Sequence, residues 1–211
     1  MIRNIIFDLG VVLLDVNYSD TIRAFSDLGL RNAEEAFSKH RQDEFFRRYE
    51  RGLMSSDEFL MGLAKRMKLA NHDLLRSAWC EMLGELPLYK FELLQKLSKS
   101  HKLFVLSNTN EIHQEWFERK IDEQYEWKNF ESCFEFIGYS HRINKRKPQP
   151  DAFLTILEQF DLEASETLFI DDTLEHVVSA RRLGIQTVHY VDGNNLDRAI
   201  QESLKNDATS S

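Results

Sequence analysis

Short apolar runs that stop abruptly at an acidic or hydroxyl residue restrict the fold of this chain more than any other feature. Ile2, Ile5, Ile6 and Phe7 lead into Asp8-Leu9-Gly10. Leu103-Phe104-Val105-Leu106 leads into Ser107-Asn108-Thr109-Asn110, and the run over Thr167 to Ile170 leads into Asp171-Asp172-Thr173. Two further runs lie around Phe134 to Ile137 and over Thr187 to Val191. Runs of about four to eight residues bounded by turn formers read as buried strands. Between them the apolar period lengthens. Tyr89 to Leu97, the stretch holding Ala152, Phe153, Ile156, Leu157 and Phe160, and the stretch opening at Leu174 and closing at Leu183-Gly184 read as helices. Strands alternating with helices predict an α/β chain with a parallel sheet covered on both faces.

One long stretch breaks the alternation. From Val16 to Leu86 there is no strand signal. Tyr18, Ile22, Phe25 and Leu28 recur at helical spacing, as do Phe59, Leu60, Leu63, Ala64 and Met67 behind the capping box Ser55-Ser56-Asp57-Glu58. Leu74, Leu75, Ala78, Trp79, Met82 and Leu83 form another stripe, and Ala33 to Tyr49 reads as helical with a less regular face. The expected organisation is a core of residues 1–15 and 87–211, with a subdomain of about four helices over 16–86.

The 211 residues suit one domain or a core with an appendage, and 42% hydrophobic content with 15 Phe is ample for packing. With 27 basic against 35 acidic residues the net charge is −8, a poor balance for binding nucleic acid or an anionic membrane. No apolar run reaches membrane-spanning length. Asp8 interrupts the apolar start and no small-residue cleavage site follows, so no signal peptide is expected. Cys80 and Cys133 lack metal-knuckle spacing and read as buried thiols of a cytoplasmic protein, a monomer or homodimer.

Strand C-terminal ends share one edge of an open parallel sheet, and ligands bind there. Asp8, Ser107 and Asp171-Asp172 would meet at that edge, with Lys147 supplied by the loop Asn144-Lys145-Arg146-Lys147-Pro148. Taken singly these are turn residues, caps and a solvated basic loop. Taken together they have a chemistry. Clustered carboxylates need a cation, and an all-oxygen set suits Mg²⁺. Ser107 beside a helix start, the metal and Lys147 would bind a phosphate. Asp8 would then attack phosphorus, giving an aspartyl-phosphate that water hydrolyses.

At these residues the chain resembles the haloacid dehalogenase-like hydrolase superfamily, from Ile5 to about Val191. Ile5-Ile6-Phe7-Asp8 looks like its nucleophile strand and Leu106-Ser107-Asn108 like its phosphate motif. Arg146-Lys147-Pro148 looks like its lysine motif, and Phe169-Ile170-Asp171-Asp172 like its acidic metal motif. The resemblance implies a Rossmann-like core with a helical cap over 16–86 and a Mg²⁺-dependent phosphatase for a small phosphorylated metabolite. It makes Asp8 nucleophile and metal ligand, the Gly10 carbonyl and Asp172 further ligands, and Asp171 a support for the metal. Ser107 and Asn108 would hold the phosphate and Lys147 would balance charge. The finer pattern is similar to a bacterial subgroup that includes an α-glucose-1-phosphate phosphatase, in which a cap turn resembling Glu50-Arg51-Gly52 overhangs the site.

One departure stands out. Typical phosphatases of the superfamily carry an Asp two residues after the nucleophile as general acid and base, and here that residue is Gly10. Such help is worth roughly 10²–10⁴ in rate. Its loss matters least for a leaving group already stable as an anion, so a hexose-1-phosphate is expected to suit the site better than an alkyl phosphate. His113, His40 and Glu50 are the candidate replacements, with His113 read first as a surface helix residue, as is His176. The alternative reading is a weakly active or inactive relative that binds a phosphorylated ligand or protein partner. The aromatic segment Glu111 to Glu131 is expected to pack against the sheet rather than to bind a partner.

Overall fold

The computed structural model describes residues 1–30, 33–34, 44–191 and 195–209, the last four of these as backbone only. Five strands form one sheet: β1 (Asn4–Phe7), β2 (Lys102–Ser107), β3 (Phe136–Tyr139), β4 (Thr167–Asp171) and β5 (Gln186–His189). Their order is β3-β2-β1-β4-β5 and every pairing is parallel. The β3 strand lies two residues later than its apolar run suggests, because Phe134 and Glu135 belong to the turn that enters it.

Alternation along the central strands fills both faces. Ile5, Phe7, Leu103, Val105, Leu168 and Ile170 pack on one side. They meet helices α5 (Leu88–Leu97), α6 (Glu111–Tyr125), α7 (Trp127–Glu131) and α11 (Leu196–Thr209). The last helix lies beyond the elements expected from the sequence. Ile6, Phe104, Leu106 and Phe169 face the other way, onto α9 (Pro150–Gln159) and α10 (Leu174–Arg182). A one-turn helix, α8 (Ser140–Ile143), follows β3. The aromatic segment packs as expected, with Phe117, Ile121 and Phe130 buried in the first of these clusters.

Among the described residues, the elements between β1 and α5 are all helices: α1 (Tyr18–Asp27), α2 (Glu44–Glu50), α3 (Ser56–Met67) and α4 (His72–Cys80). Residues 35–43, including His40, fall outside the described residues. The capping box closes as its sequence implies, with Glu58 N–H donating to Ser55 Oγ and Ser55 N–H to Glu58 Oε2. These helices share their own apolar cluster, centred on Phe46, Tyr49, Phe59 and Trp79. The two connections to the rest of the chain pair with each other: Asp15 N–H donates to Glu85 O, Gly84 N–H to Asp15 O and Asn17 N–H to Met82 O. Gly52 is required where α2 turns toward the sheet edge. Its φ is +65° and a Cβ there would lie 2.1 Å from the His141 carbonyl oxygen.

Candidate active site

The parallel register aligns the strand ends. Phe7 pairs with Val105 and with Ile170, so Asp8, Ser107 and Asp171 emerge together at one edge. Asp8 N–H continues the ladder by donating to the Ile170 carbonyl. Oxygens of Asp8, Asp171 and Asp172 lie within 4.8 Å of one another.

Lys147 is the cation of this cluster. Its Nζ donates to Asp8 Oδ1 and Asp171 Oδ2, both at 2.7 Å, and its side chain is fully buried. The loop carrying it is therefore not a solvated basic turn at this residue. Burial opposes the charge on Lys147, but Asp171 and Asp8 outweigh that and hold its pKa above the ordinary lysine value. The two acids divide unequally. Burial would raise the Asp171 pKa, yet Lys147 and the bond from His176 keep it well below the usual carboxylate range. Asp171 Oδ1 also accepts from Thr173 N–H at 2.7 Å. Asp8 lacks these extra donors among the described residues, and burial pushes it up to about 6 against the pull of Lys147. Two buried carboxylates share one ammonium, which leaves negative charge in excess, and with Asp172 beside them they make the all-oxygen set that suits a divalent ion.

The Asn108 side-chain amide holds the lysine loop: Nδ2 donates to the Lys147 carbonyl and Oδ1 accepts the Lys147 N–H, each at 2.9 Å. The side chain clamps the lysine peptide, so any contact from Asn108 to a phosphate falls to its backbone N–H. Ser107, buried at the end of β2, lines the cleft. Gly10 lines it too. The Gly10 carbonyl accepts the Val12 N–H at 2.7 Å, closing a three-residue turn in which Val11 has a φ of +66°.

Two histidines also depart from the surface reading. His113 is buried, stacked on Trp79 with ring centroids 4.7 Å apart, and its Nε2 lies 2.9 Å from the Trp79 carbonyl oxygen. Burial pushes its pKa down to about 4, against the opposing pull of that bond. His176 places Nδ1 3.0 Å from both oxygens of Asp171.

A cleft of about 260 Å³ opens above Asp8. The helices between β1 and α5 supply its far wall: Tyr18, Phe46, Arg47, Glu50, Trp79 and Met82. Of these, sequence reading singled out only Glu50. Its carboxylate accepts from Arg146 Nη2 at 2.9 Å and Nε at 3.1 Å, and its carbonyl lies 2.6 Å from Ser140 Oγ. The turn after α2 is thereby tied to the residue before Lys147. Tyr18 is kept protonated: burial, with Asp172, Asp8 and Glu50 nearby, raises its phenol far above the ordinary value. The apolar spacing that makes Tyr18 and Trp79 look like core residues gives no sign that they also face a cleft.

Residues 5–190 match the haloacid dehalogenase-like hydrolase family. A D-ribitol-5-phosphate phosphatase of Bacteroides thetaiotaomicron is 30% identical over 92% of this chain and 94% of its own length. A sesquiterpene phosphatase of Aspergillus oryzae is 29% identical over 89% of each. The structure superposes with a TM-score of 0.86 on a haloacid dehalogenase family enzyme of Bacteroides thetaiotaomicron, an Asp-to-Ala mutant in complex with magnesium and inorganic phosphate. That enzyme is 32% identical, with 92% of this chain and 96% of the other covered. This chain is an enzyme of the haloacid dehalogenase-like hydrolase family.

Proposed function

We propose that the protein is a Mg²⁺-dependent phosphatase for a small phosphorylated metabolite, acting through an aspartyl-phosphate on Asp8. The observation that carries the reading is the meeting of Asp8, Lys147, Asp171 and Asp172 at one sheet edge, beneath a closed-in cleft. Phosphatase relatives that cover nearly the whole chain support it.

Each residue then has a task. An Asp8 oxygen attacks phosphorus as the bond to the leaving oxygen breaks. Water then attacks the phosphoryl group, releasing phosphate and restoring the carboxylate. Lys147 balances the anions of Asp8 and the phosphoryl oxygens, and Asn108 holds the lysine peptide in place. Ser107 and the Asn108 N–H bind phosphate oxygens. Asp8, Asp172 and the Gly10 carbonyl would hold Mg²⁺, with Asp171 behind them fixing Lys147. The ion would supply Lewis-acid stabilisation of charge on the phosphoryl group. The helices over 16–86 act as the cap of this cleft.

Among the described residues Gly10 offers no side chain, His113 is neutral and bonded to Trp79, and Glu50 is paired with Arg146, so water is the proton source this reading gives the leaving group. That favours esters of acidic hydroxyls, and we place a hexose-1-phosphate above a hexose-6-phosphate as substrate. The buried, separate thiols Cys80 and Cys133 suit the cytoplasm.

The test uses para-nitrophenyl phosphate with Mg²⁺ or EDTA, and the Asp8→Asn variant beside the wild type. Chelation should abolish turnover, and the variant should lose about 10³-fold or more. Equal residual turnover in the two proteins defeats the reading and favours a binding protein. Turnover of glucose-1-phosphate, glucose-6-phosphate and ribitol-5-phosphate then ranks the leaving groups.

A further inference from the structure

Lys90, on α5, is a second buried lysine, and it reaches the turn that follows the nucleophile. Its side chain is 3% exposed. Nζ donates to the Val11 carbonyl at 3.3 Å and stands 3.4 Å from Asp15 Oδ1. Val11 is the residue whose φ of +66° closes the turn beside Gly10. A β-branched residue in that conformation is strained, and strain of this kind persists only where the surroundings enforce it. Asp15 pairs through its backbone with Glu85 and Gly84, where the chain leaves for the helical insertion and returns. One ammonium thus ties the turn after the nucleophile to the crossing between the two parts of the chain.

Charge neutralisation of Asp15 does not account for this burial. The Asp15 side chain is 65% exposed and well solvated, and ion pairs of that kind contribute little, whereas burying an ammonium is costly. The bond to the Val11 carbonyl is part-buried and is the contact that reaches the turn itself.

We propose that Lys90 is a positioning residue for the divalent ion: by holding the Val11–Asp15 turn, it keeps the Gly10 carbonyl available to an ion held by Asp8 and Asp172. This rests on the reading of the site as a Mg²⁺ site. The sign of the effect is diagnostic. Removing a positive charge near a cation site strengthens cation binding by simple electrostatics. Releasing a ligand carbonyl weakens it.

The experiment compares wild type, Lys90→Met and Lys90→Arg by two readouts, the Mg²⁺-induced rise in Tm and the Mg²⁺ dependence of para-nitrophenyl phosphate hydrolysis. Met should be tolerated, since the carboxylate left behind, on Asp15, is 65% exposed and stays solvated. Lys90→Met should need about tenfold more Mg²⁺ in both readouts, with KM for the ester little changed at saturating Mg²⁺. Lys90→Arg should recover most of the difference. Unchanged or tighter Mg²⁺ binding in Lys90→Met overturns the proposal. If Lys90→Met does not fold, Lys90→Gln is read by the same criterion. A wild type that Mg²⁺ stabilises but that hydrolyses no ester defeats the phosphatase reading alone, and the Tm readout still decides Lys90. A wild type that Mg²⁺ does not stabilise overturns both.

Discussion

Lys147 and Asp171 form an ion pair of 2.7 Å in which neither side chain is more than 1% exposed. Asp8 joins the same ammonium, also at 2.7 Å. The arrangement spans two strand ends and a loop, so it couples the stability of the sheet edge to the chemistry proposed there.

Lys147→Met should therefore cost both. Removing the ammonium leaves two buried carboxylates facing each other, a loss of about 3–5 kcal/mol for a broken buried pair. Urea unfolding in EDTA measures it, and phosphatase turnover should vanish with it. A variant as stable as the wild type would show that the carboxylates find another partner.

Asp8→Asn should behave differently with pH. The folded pKa of Asp8 is raised from 3.8 to about 6, chiefly by burial. For such an acid the folded state binds the proton more tightly than the unfolded state. Stability is full below about pH 4 and is lost as pH rises through 6. In EDTA the stability advantage of Asp8→Asn over wild type should grow between pH 4 and 6 and level off above about pH 7. A difference that stays constant over this range would contradict the charge imbalance inferred for the cluster.

His113 works in the opposite sense. Its folded pKa lies near 4, below the ordinary 6.5, so the unfolded state binds more protons between these values. Stability is full above pH 6.5 and falls as pH drops toward 4, by roughly 3 kcal/mol for a shift of this size. His113→Gln removes that loss, so the gap between wild type and variant should narrow on acidification. The shape of the pH–rate profile should not change; a lost acid limb in the variant would instead make His113 a proton donor.

Asn108→Ala removes both bonds to the Lys147 peptide. Lys147 should stay charged but less well placed, and kcat should fall about 10–100-fold with KM changed less. Steady-state kinetics at saturating Mg²⁺ decide this. A rise in KM with kcat intact would assign the amide to substrate binding instead.

Gly10→Asp tests the missing acid. Gly10 does not occupy the left-handed region, and a Cβ there would meet Val16 Cγ2 at 3.5 Å, an ordinary contact. The variant should fold with near wild-type Tm. It should raise turnover of alkyl phosphates about 10–100-fold, with less gain for sugar-1-phosphates, if proton supply limits the reaction. Equal, small effects on both classes would show that another step is limiting.

Asp8, Ser107, Asp171 and Asp172 were legible because they end apolar runs, which parallel strands bring to one edge, and Lys147 because it is a cation on a Pro-restricted loop before a helix. The lengthened period over 16–86 likewise marked helices, since period 2 and period 3.6 cannot be confused over long stretches. The role of Asn108 was not legible, because an amide beside a serine reads the same whether it faces a phosphate or a neighbouring peptide. Nor were the contacts of His113 and His176, whose partners lie 34 and 5 residues away in sequence.

By itself, then, the amino-acid sequence determined most of the elements, the parallel class of the sheet and the identity of the acidic and hydroxyl groups at the strand ends, whereas the strand order and the last helix came from the structure. Tertiary structure alone decided which oxygens Lys147 would hold, which histidines would be buried neutral, and which aromatic residues would line the cleft. The reason is range. Periodicity and strand ends are local properties of the chain, whereas charge balance and burial at a site depend on segments more than a hundred residues apart, as Asp8 and Lys147 are.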